Sequence, residues 1–286
     1  MSEVVDASAD RVAAVAAAVQ ALKDGELVVL PTDTLYGVAA DAFNPEATAK
    51  IFAAKGRSKA LPLPVLIRSQ KQLLGLVTAI PAPVERLMAA YWPGPLTIVV
   101  EHDPNLMWDL GESKGTLAVR MPFDDVTLEV IRAIGPIACT SANLSGRRPA
   151  PSAQEAKDQL GDAVAVYLDA GERTGLSAST IVDCTRPEPH ILREGPIPGI
   201  EALEVARGER DLMNVTVIDP PPALATAPAD SIARLLAIPG LGPTKAAALI
   251  DRFGSVAGVA CADLDQLTQV AGVGPALAQK ALRELR

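Results

Sequence analysis

Cysteine, histidine and aromatic residues are scarce in this chain of 286 residues. The three cysteines, Cys139, Cys184 and Cys261, lie far apart, no C-x-x-C pair exists, and the histidines are His102 and His190 alone. That gives no basis for a disulfide framework or a zinc site, and points to a reducing cytosol. No metal-ligand cluster is visible. There is no G-x-x-x-x-G-K-[ST] loop and no G-x-G-x-x-G after a strand, so a nucleotide here would have to be held by side-chain cations. Neither histidine lies near a nucleophile motif, which excludes a Ser-His-Asp triad. No run is long enough to span a membrane, and the acidic start with its alanine stretch broken by Arg11 and Lys23 is not a signal-peptide pattern. The net charge of -8 argues against a broad nucleic-acid surface, so any contact with RNA or DNA must be local.

What is abundant is alanine and proline, with 49% apolar residues, enough for a sizeable core. Few aromatics and many alanines favour helices packed closely on a sheet. Residues 9–22 read as a helix with Val12, Val15, Val19 and Leu22 on one face. Residues 27–30 are a short apolar run, a strand buried on both faces. Asn44-Pro45 caps a helix running to about Ala54. Further strands are expected at 65–67, 96–101, 116–120, 137–140, 164–168, 180–183 and 191–193. Helices are expected at 83–91 and 126–134, and Ser152-x-x-Glu155 opens another. Strands alternating with helices predict an α/β domain with a twisted mixed open sheet.

Near Glu209 the pattern changes. A Pro/Ala-rich stretch without periodicity follows, reading as an extended linker. Two similar units come next: Pro239-Gly240-Leu241-Gly242-Pro243 before a helix 244–253, and Ala271-Gly272-Val273-Gly274-Pro275 before a helix 276–285. This duplication suits a small paired all-α module. The expected domains are 1–212, a linker 213–229, and 230–286. From Ala229 onward six cations face five acids, 6 − 5 = +1, so the remainder carries -9.

Lys55, Arg57, Arg120 and Arg193 fall at loops or strand ends. Arginine grips a planar carboxylate or phosphate by two parallel hydrogen bonds, and lysine supplies a point charge. Adenylation of an acid gathers several anions and needs positioning plus charge stabilisation, not a covalent nucleophile. Isolated, a Lys-x-Arg is more often a surface ion pair. Thr32 and Thr34 follow the first buried strand, where open α/β sheets bind ligands, although a Ser/Thr turn explains Thr32 as well. Ser141-Ala142-Asn143-Leu144-Ser145-Gly146 is a donor-rich loop. Trp92-Pro93-Gly94-Pro95 reads as a rigid turn with Trp92 in the core.

The strings Pro31–Gly37, Lys55-Gly56-Arg57, Trp92–Pro95, Val119–Pro122, Ser141–Gly146 and Leu192–Gly195, in this order and spacing, resemble the YrdC-type threonylcarbamoyl-AMP synthases. The resemblance covers roughly residues 25–195. It implies a nucleotidyltransferase making L-threonylcarbamoyl-adenylate from L-threonine, bicarbonate and ATP. The threonine amine captures CO₂, the carbamate attacks the α-phosphate, and pyrophosphate leaves. That product begins threonylcarbamoylation of tRNA, so downstream tRNA threonylcarbamoyl-transfer proteins are implied partners, with Mg²⁺ accompanying the nucleotide. By the resemblance Lys55 and Arg57 are catalytic; Thr34, Arg120, Ser141 and Ser179 hold threonine; Lys55, Arg57, Thr116, Asn143, Pro151 and Arg193 hold ATP. The chain departs from the family pattern at Leu61 and Leu66, where polar residues are common. An alternative is a non-synthetic paralogue of this fold that binds RNA. The hydrogenase-maturation carbamoyl transferases carry a similar domain, but also zinc-finger cysteines and an acylphosphatase-like segment that this sequence lacks.

The tail resembles a tandem helix-hairpin-helix module, whose hairpin backbones can meet phosphates. Gly240, Gly242, Lys245, Gly272, Gly274 and Lys280 are its candidate nucleic-acid contacts. Leu235, Leu236, Leu249, Ile250, Phe253, Leu264, Leu267 and Leu277 are its expected core.

Overall fold

The computed structural model describes residues 2–173, 177–216, 235, 238, 240–253 and 256–285. They fall into two compact units, Met1–Asp219 and Pro220–Arg286.

The first unit is a ten-stranded mixed sheet with helices. Its strands are β1 (Glu3–Asp6), β2 (Val28–Leu30), β3 (Gly37–Asp41), β4 (Val65–Leu66), β5 (Leu96–Glu101), β6 (Thr116–Arg120), β7 (Ile137–Ser141), β8 (Val166–Asp169), β9 (Thr180–Asp183) and β10 (His190–Arg193). They lie in the order β1-β8-β2-β3-β7-β4-β6-β5-β9-β10. The expected strands at 96–101, 116–120 and 180–183 are found with those bounds. β3 is not legible beforehand, because Gly-Val-Ala-Ala-Asp has weak strand propensity. It forms because β2 and β7 pair with it from both sides, antiparallel in each case. β1, at the sheet edge, was likewise unforeseen, and so were the helices Gln70–Leu74 and Gly199–Arg207.

Helix α1 (Arg11–Lys23) begins at Asp10, whose side chain accepts from the Ala13 N–H. Its buried face is Ala14, Ala18, Ala21 and Leu22. Of the face expected from the sequence, Leu22 is buried and Val15 and Val19 pack at the core's margin, while Val12 is corrected, being 81% exposed. The alanines let the helix axis approach the sheet closely at little cost in side-chain entropy. They share a core with Val28, Leu168, Val130 and Ile131. Leu22, fully buried, contributes roughly 1.5–3 kcal/mol by burial.

Helix α2 (Pro45–Lys55) has both ends written locally. Asn44 accepts from the N–H groups of Glu46 and Ala47, both at 3.1 Å, and Pro45 sits in the first turn. Gly56, at φ 59°, ends the helix in the left-handed conformation. Lys55 is thereby the last helical residue, and Arg57 the first side chain beyond the cap.

Thr216, which the sequence assigns to the linker, bonds to the first unit. Its N–H and hydroxyl donate to the two oxygens of Glu201, at 2.8 and 2.7 Å. Met213 and Asn214 lie in a 3-10 turn, Leu212–Asn214, and the expected linker from 217 to 229 lies outside the described residues. A chain ending at Asp219 is therefore expected to keep the melting temperature of the first unit within about 3 °C, the shift made by about 1 kcal/mol in a domain this size. A larger drop on calorimetry would show that the second unit supports the first.

The second unit contains helices Pro243–Phe253, Val256–Cys261, Leu264–Thr268 and Pro275–Leu285. Leu235, Leu249, Phe253 and Leu267 are buried as expected, and Ile250 and Leu277 pack at the margin. Leu264 is corrected: it is 38% exposed, in the first turn after the Asp263 capping box. Leu236 lies outside the described residues. Val256, Val259, Val270, Val273 and Leu282 complete the core. Gly240 and Gly272 adopt φ 97° and 80°, which favours glycine. A Cβ on Gly240 would meet Leu277, and one on Gly272 would meet Lys245. The third helical residue after each hairpin thus covers the other hairpin's glycine. That reciprocity is the duplication expressed as packing.

Candidate active site

The strings that end β2, α2, β6, β7 and β10 supply three linked clusters. In the first, Lys55 is 3% exposed. Its Nζ donates to the Ser141 carbonyl, to the Asn143 carbonyl at 2.5 Å, and weakly to Asn143 Oδ1 at 3.5 Å. Asn143 Nδ2 donates in turn to the Leu144 and Arg147 carbonyls, which shapes the loop. Burial lowers the Lys55 pKa from the usual 10.5 to about 8, with Arg57 adding like-charge repulsion. Arg57 is half-buried and donates to the carbonyls of Leu61 (2.9 Å) and Pro62 (3.2 Å). Its pKa is also lowered, by desolvation. The sequence departures matter little to these contacts. Leu61 acts through its backbone oxygen while its side chain is 58% exposed, and Leu66 is buried in β4.

In the second cluster Arg120 is 6% exposed. Its Nε donates to the Gly94 carbonyl at 2.9 Å, its Nη1 to Thr34 Oγ1 at 2.8 Å, and its Nη2 to Asp33 Oδ1. The 92–95 turn thus presents a carbonyl to the site, while Trp92 is buried and its indole donates to the Leu96 carbonyl. Thr32 makes the Ser/Thr turn: its Oγ1 accepts from the N–H groups of Thr34 and Leu35. Thr34 is the hydroxyl turned to Arg120.

In the third cluster Arg193 donates through Nε and Nη2 to the Ser179 carbonyl (2.9 and 2.8 Å) and through Nη2 to Ser179 Oγ at 3.0 Å. Ser179 Oγ also pairs with Thr97 Oγ1 at 2.7 Å. The Arg193 pKa is lowered by desolvation and then by Arg120. Gly195 explains the end of its string. A Cβ there would fall 2.3 Å from the Thr180 nitrogen, so no side chain fits where this strand end closes on β9.

The clusters sense one another. Lys55 and Arg120 both act on the buried thiol of Cys139, which burial pushes up to about 12. Lys55, Arg57, Arg120 and Arg193 are therefore linked in a chain of electrostatic contacts, and the Asp33 carboxylate is bonded to Arg120. Pro151 is buried, and its carbonyl accepts from the Arg173 N–H at 2.8 Å. Thr116 is not brought to the clusters. It opens β6, four residues and about 13 Å of strand before Arg120, and donates to the Ser113 carbonyl. Sequence reasoning missed Asp33, and also Arg173, which is 2% exposed, pairs with Asp124 at 3.0 Å and lies over the Tyr36 ring. Asp33 sits inside a recognised string, whereas nothing local marks the Arg173 pair, 49 residues apart. Among the described residues no group of three or more His, Cys, Asp and Glu is placed to hold a metal ion.

In the second unit Lys245 Nζ donates to the Gly240 carbonyl at 3.1 Å. Gly242 and Gly274 open on free space. Lys280 lies about 9 Å further along its helix than Gly274.

Residues 20–195 match the Sua5/YciO/YrdC family model, described as telomere recombination. The chain belongs to this family. A Mycobacterium tuberculosis protein is 47% identical over 191 residues, 67% of this chain and 88% of its own. The threonylcarbamoyl-AMP synthase of Pyrococcus abyssi is 37% identical over 190 residues, 66% of this chain and 55% of its own. The P. abyssi Sua5 structure complexed with L-threonine superposes with a TM-score of 0.65 at 33% identity, covering 73% of this chain and 62% of that one. Residues 232–286 match a SAM-like helix-hairpin-helix tandem. Among the described residues no helix is long and apolar enough to cross a membrane.

Proposed function

We propose that this member of the Sua5/YciO/YrdC family is a nucleotidyltransferase that makes L-threonylcarbamoyl-adenylate from ATP, L-threonine and bicarbonate, the first step of tRNA threonylcarbamoylation. The observation that carries the reading is the electrostatic linkage of Lys55, Arg57, Arg120 and Arg193 at neighbouring loop and strand ends, an arrangement suited to polyanions. Relatives named for this synthesis, and one bound to threonine, support it. Arg120 receives the threonine carboxylate, with Thr34, Ser141 and Ser179 around it. Lys55, Arg57, Asn143 and Arg193 take the phosphates, and Pro151 lines the same site. Mg²⁺ would arrive with ATP, held by phosphates and water. The product passes to tRNA threonylcarbamoyl-transfer proteins in the cytoplasm. Incubating the protein with ATP, threonine and bicarbonate should yield pyrophosphate and the adenylate. A folded protein that yields neither would favour the RNA-binding paralogue.

Amino-acid choice follows from the hydroxyl-rich surroundings. A site built to bond a hydroxyl leaves its own groups unpaired when the ligand lacks one. Valine is expected to be used at least about tenfold less efficiently than threonine by kcat/KM, and serine to fall between them. Equal use of valine and threonine would contradict the assignment.

Lys55 gives a proton signature. With its folded pKa below the unfolded value, the charged amine costs stability below about pH 8, and that cost fades as pH rises toward 10.5. Phosphates restore the charge, so ATP binding near pH 8 should take up protons and weaken as pH rises further. Calorimetry in Tris and in HEPES should give different apparent enthalpies. Identical enthalpies would remove Lys55 from the phosphate site.

The tail's hairpins, with Gly240, Gly242, Lys245, Gly272, Gly274 and Lys280, would bind nucleic acid weakly through backbone N–H groups, without sequence preference and with strong salt dependence.

A further inference from the structure

Asp33 has no assigned role in the reading above, yet its carboxylate is bonded to Arg120, one of the four cations of the site. Its side chain is 3% exposed. Oδ1 accepts from Arg120 Nη2 and from the Phe123 N–H at 2.9 Å. Oδ2 is sealed from solvent and has no partner among the described residues. Among the described residues its bonds run to Arg120 and to the Phe123 N–H alone, so its role lies in what it holds.

What it holds is the guanidinium. Arg120 is gripped by three groups from two segments: the Gly94 carbonyl, and the Thr34 hydroxyl and Asp33 carboxylate of the string after β2. A guanidinium has five N–H groups, so three are spent and two remain for a ligand. Three anchors, one on each guanidinium nitrogen, fix the plane of the group. Among them only Asp33 is charged, and charge-assisted bonds are about twice as strong as neutral ones. The Phe123 N–H ties the same oxygen to the chain just beyond β6.

We infer that Asp33 is a positioning residue: it locks the Arg120 guanidinium in the plane that meets the amino-acid carboxylate through two parallel bonds. This rests on the reading of Arg120 as the threonine-carboxylate receptor. Loss of Asp33 leaves Arg120 present but free to turn, so it weakens threonine capture and spares ATP.

The test is a mutant cycle in the full chain with Asp33→Ala, Arg120→Ala and the double variant. KM and kcat are measured for threonine at saturating ATP and for ATP at saturating threonine. Asp33→Ala should raise the threonine KM at least about tenfold, with the ATP KM within about twofold. The double variant should be no worse than Arg120→Ala by more than about threefold, because residues acting as one unit are not additive. It should also melt higher than Arg120→Ala alone, which strands a buried carboxylate. Asp33→Asn keeps the shape and both acceptor bonds without the charge, and should raise the threonine KM at least about threefold. That variant carries the test if Asp33→Ala does not fold. Multiplying effects in the double variant, a parallel rise in both KM values, or a wild-type threonine KM in Asp33→Asn would each overturn the proposal. A wild-type chain that forms no adenylate would instead overturn the reading of the site, and this proposal with it.

Discussion

Lys55→Met is expected to lower adenylate formation by on the order of 10³-fold, the upper range for removing one preorganised group from a developing charge. The Nζ is buried at the end of α2 and held by two backbone carbonyls of the 141–143 loop. Methionine keeps the length and apolar stem of the side chain and loses the charge. It also strands the Ser141 and Asn143 carbonyls, so the variant should be less stable by about 1–3 kcal/mol, the cost of unsatisfied buried acceptors. Pyrophosphate release by protein shown to be folded from its melting curve separates the two effects. A rate within tenfold of wild type would remove Lys55 from the chemistry.

Arg57→Ala should cost about 100-fold in the same assay. The smaller effect follows from its position. Arg57 lies outside the helix cap, is half-buried, and is held by the carbonyls of Leu61 and Pro62, not by the 141–143 loop. Its removal strands no buried acceptor to the same degree, so the loss should be catalytic with little change in melting temperature. The ATP concentration dependence should suffer more than the threonine dependence. Near-wild-type turnover in the folded variant would contradict the phosphate role, and a loss confined to threonine would move Arg57 to the other half of the site.

Local features were legible in the sequence. Asn44-Pro45 and Gly56 bound α2 and so place Lys55 and Arg57 at its end. The runs at 96–101 and 116–120 are strands because apolar and β-branched residues concentrate there. The two Gly-apolar-Gly hairpins are legible because their geometry is set within a few residues. The cations at strand ends could be picked out for the same reason. Partnership was decided only by the tertiary structure. Whether Val12 or Ala14 faces the core depends on how closely α1 can approach the sheet, and the alanines win because small side chains let it come nearest. β3 exists because two neighbours bond to it. Thr116 and Arg120 share a strand, yet only Arg120 reaches Thr34 and Asp33, 86 and 87 residues away in sequence. Pairings across such separations leave no periodic trace in a single chain. They are fixed by which groups become buried together, and a buried charge must then find its partner wherever the fold puts it.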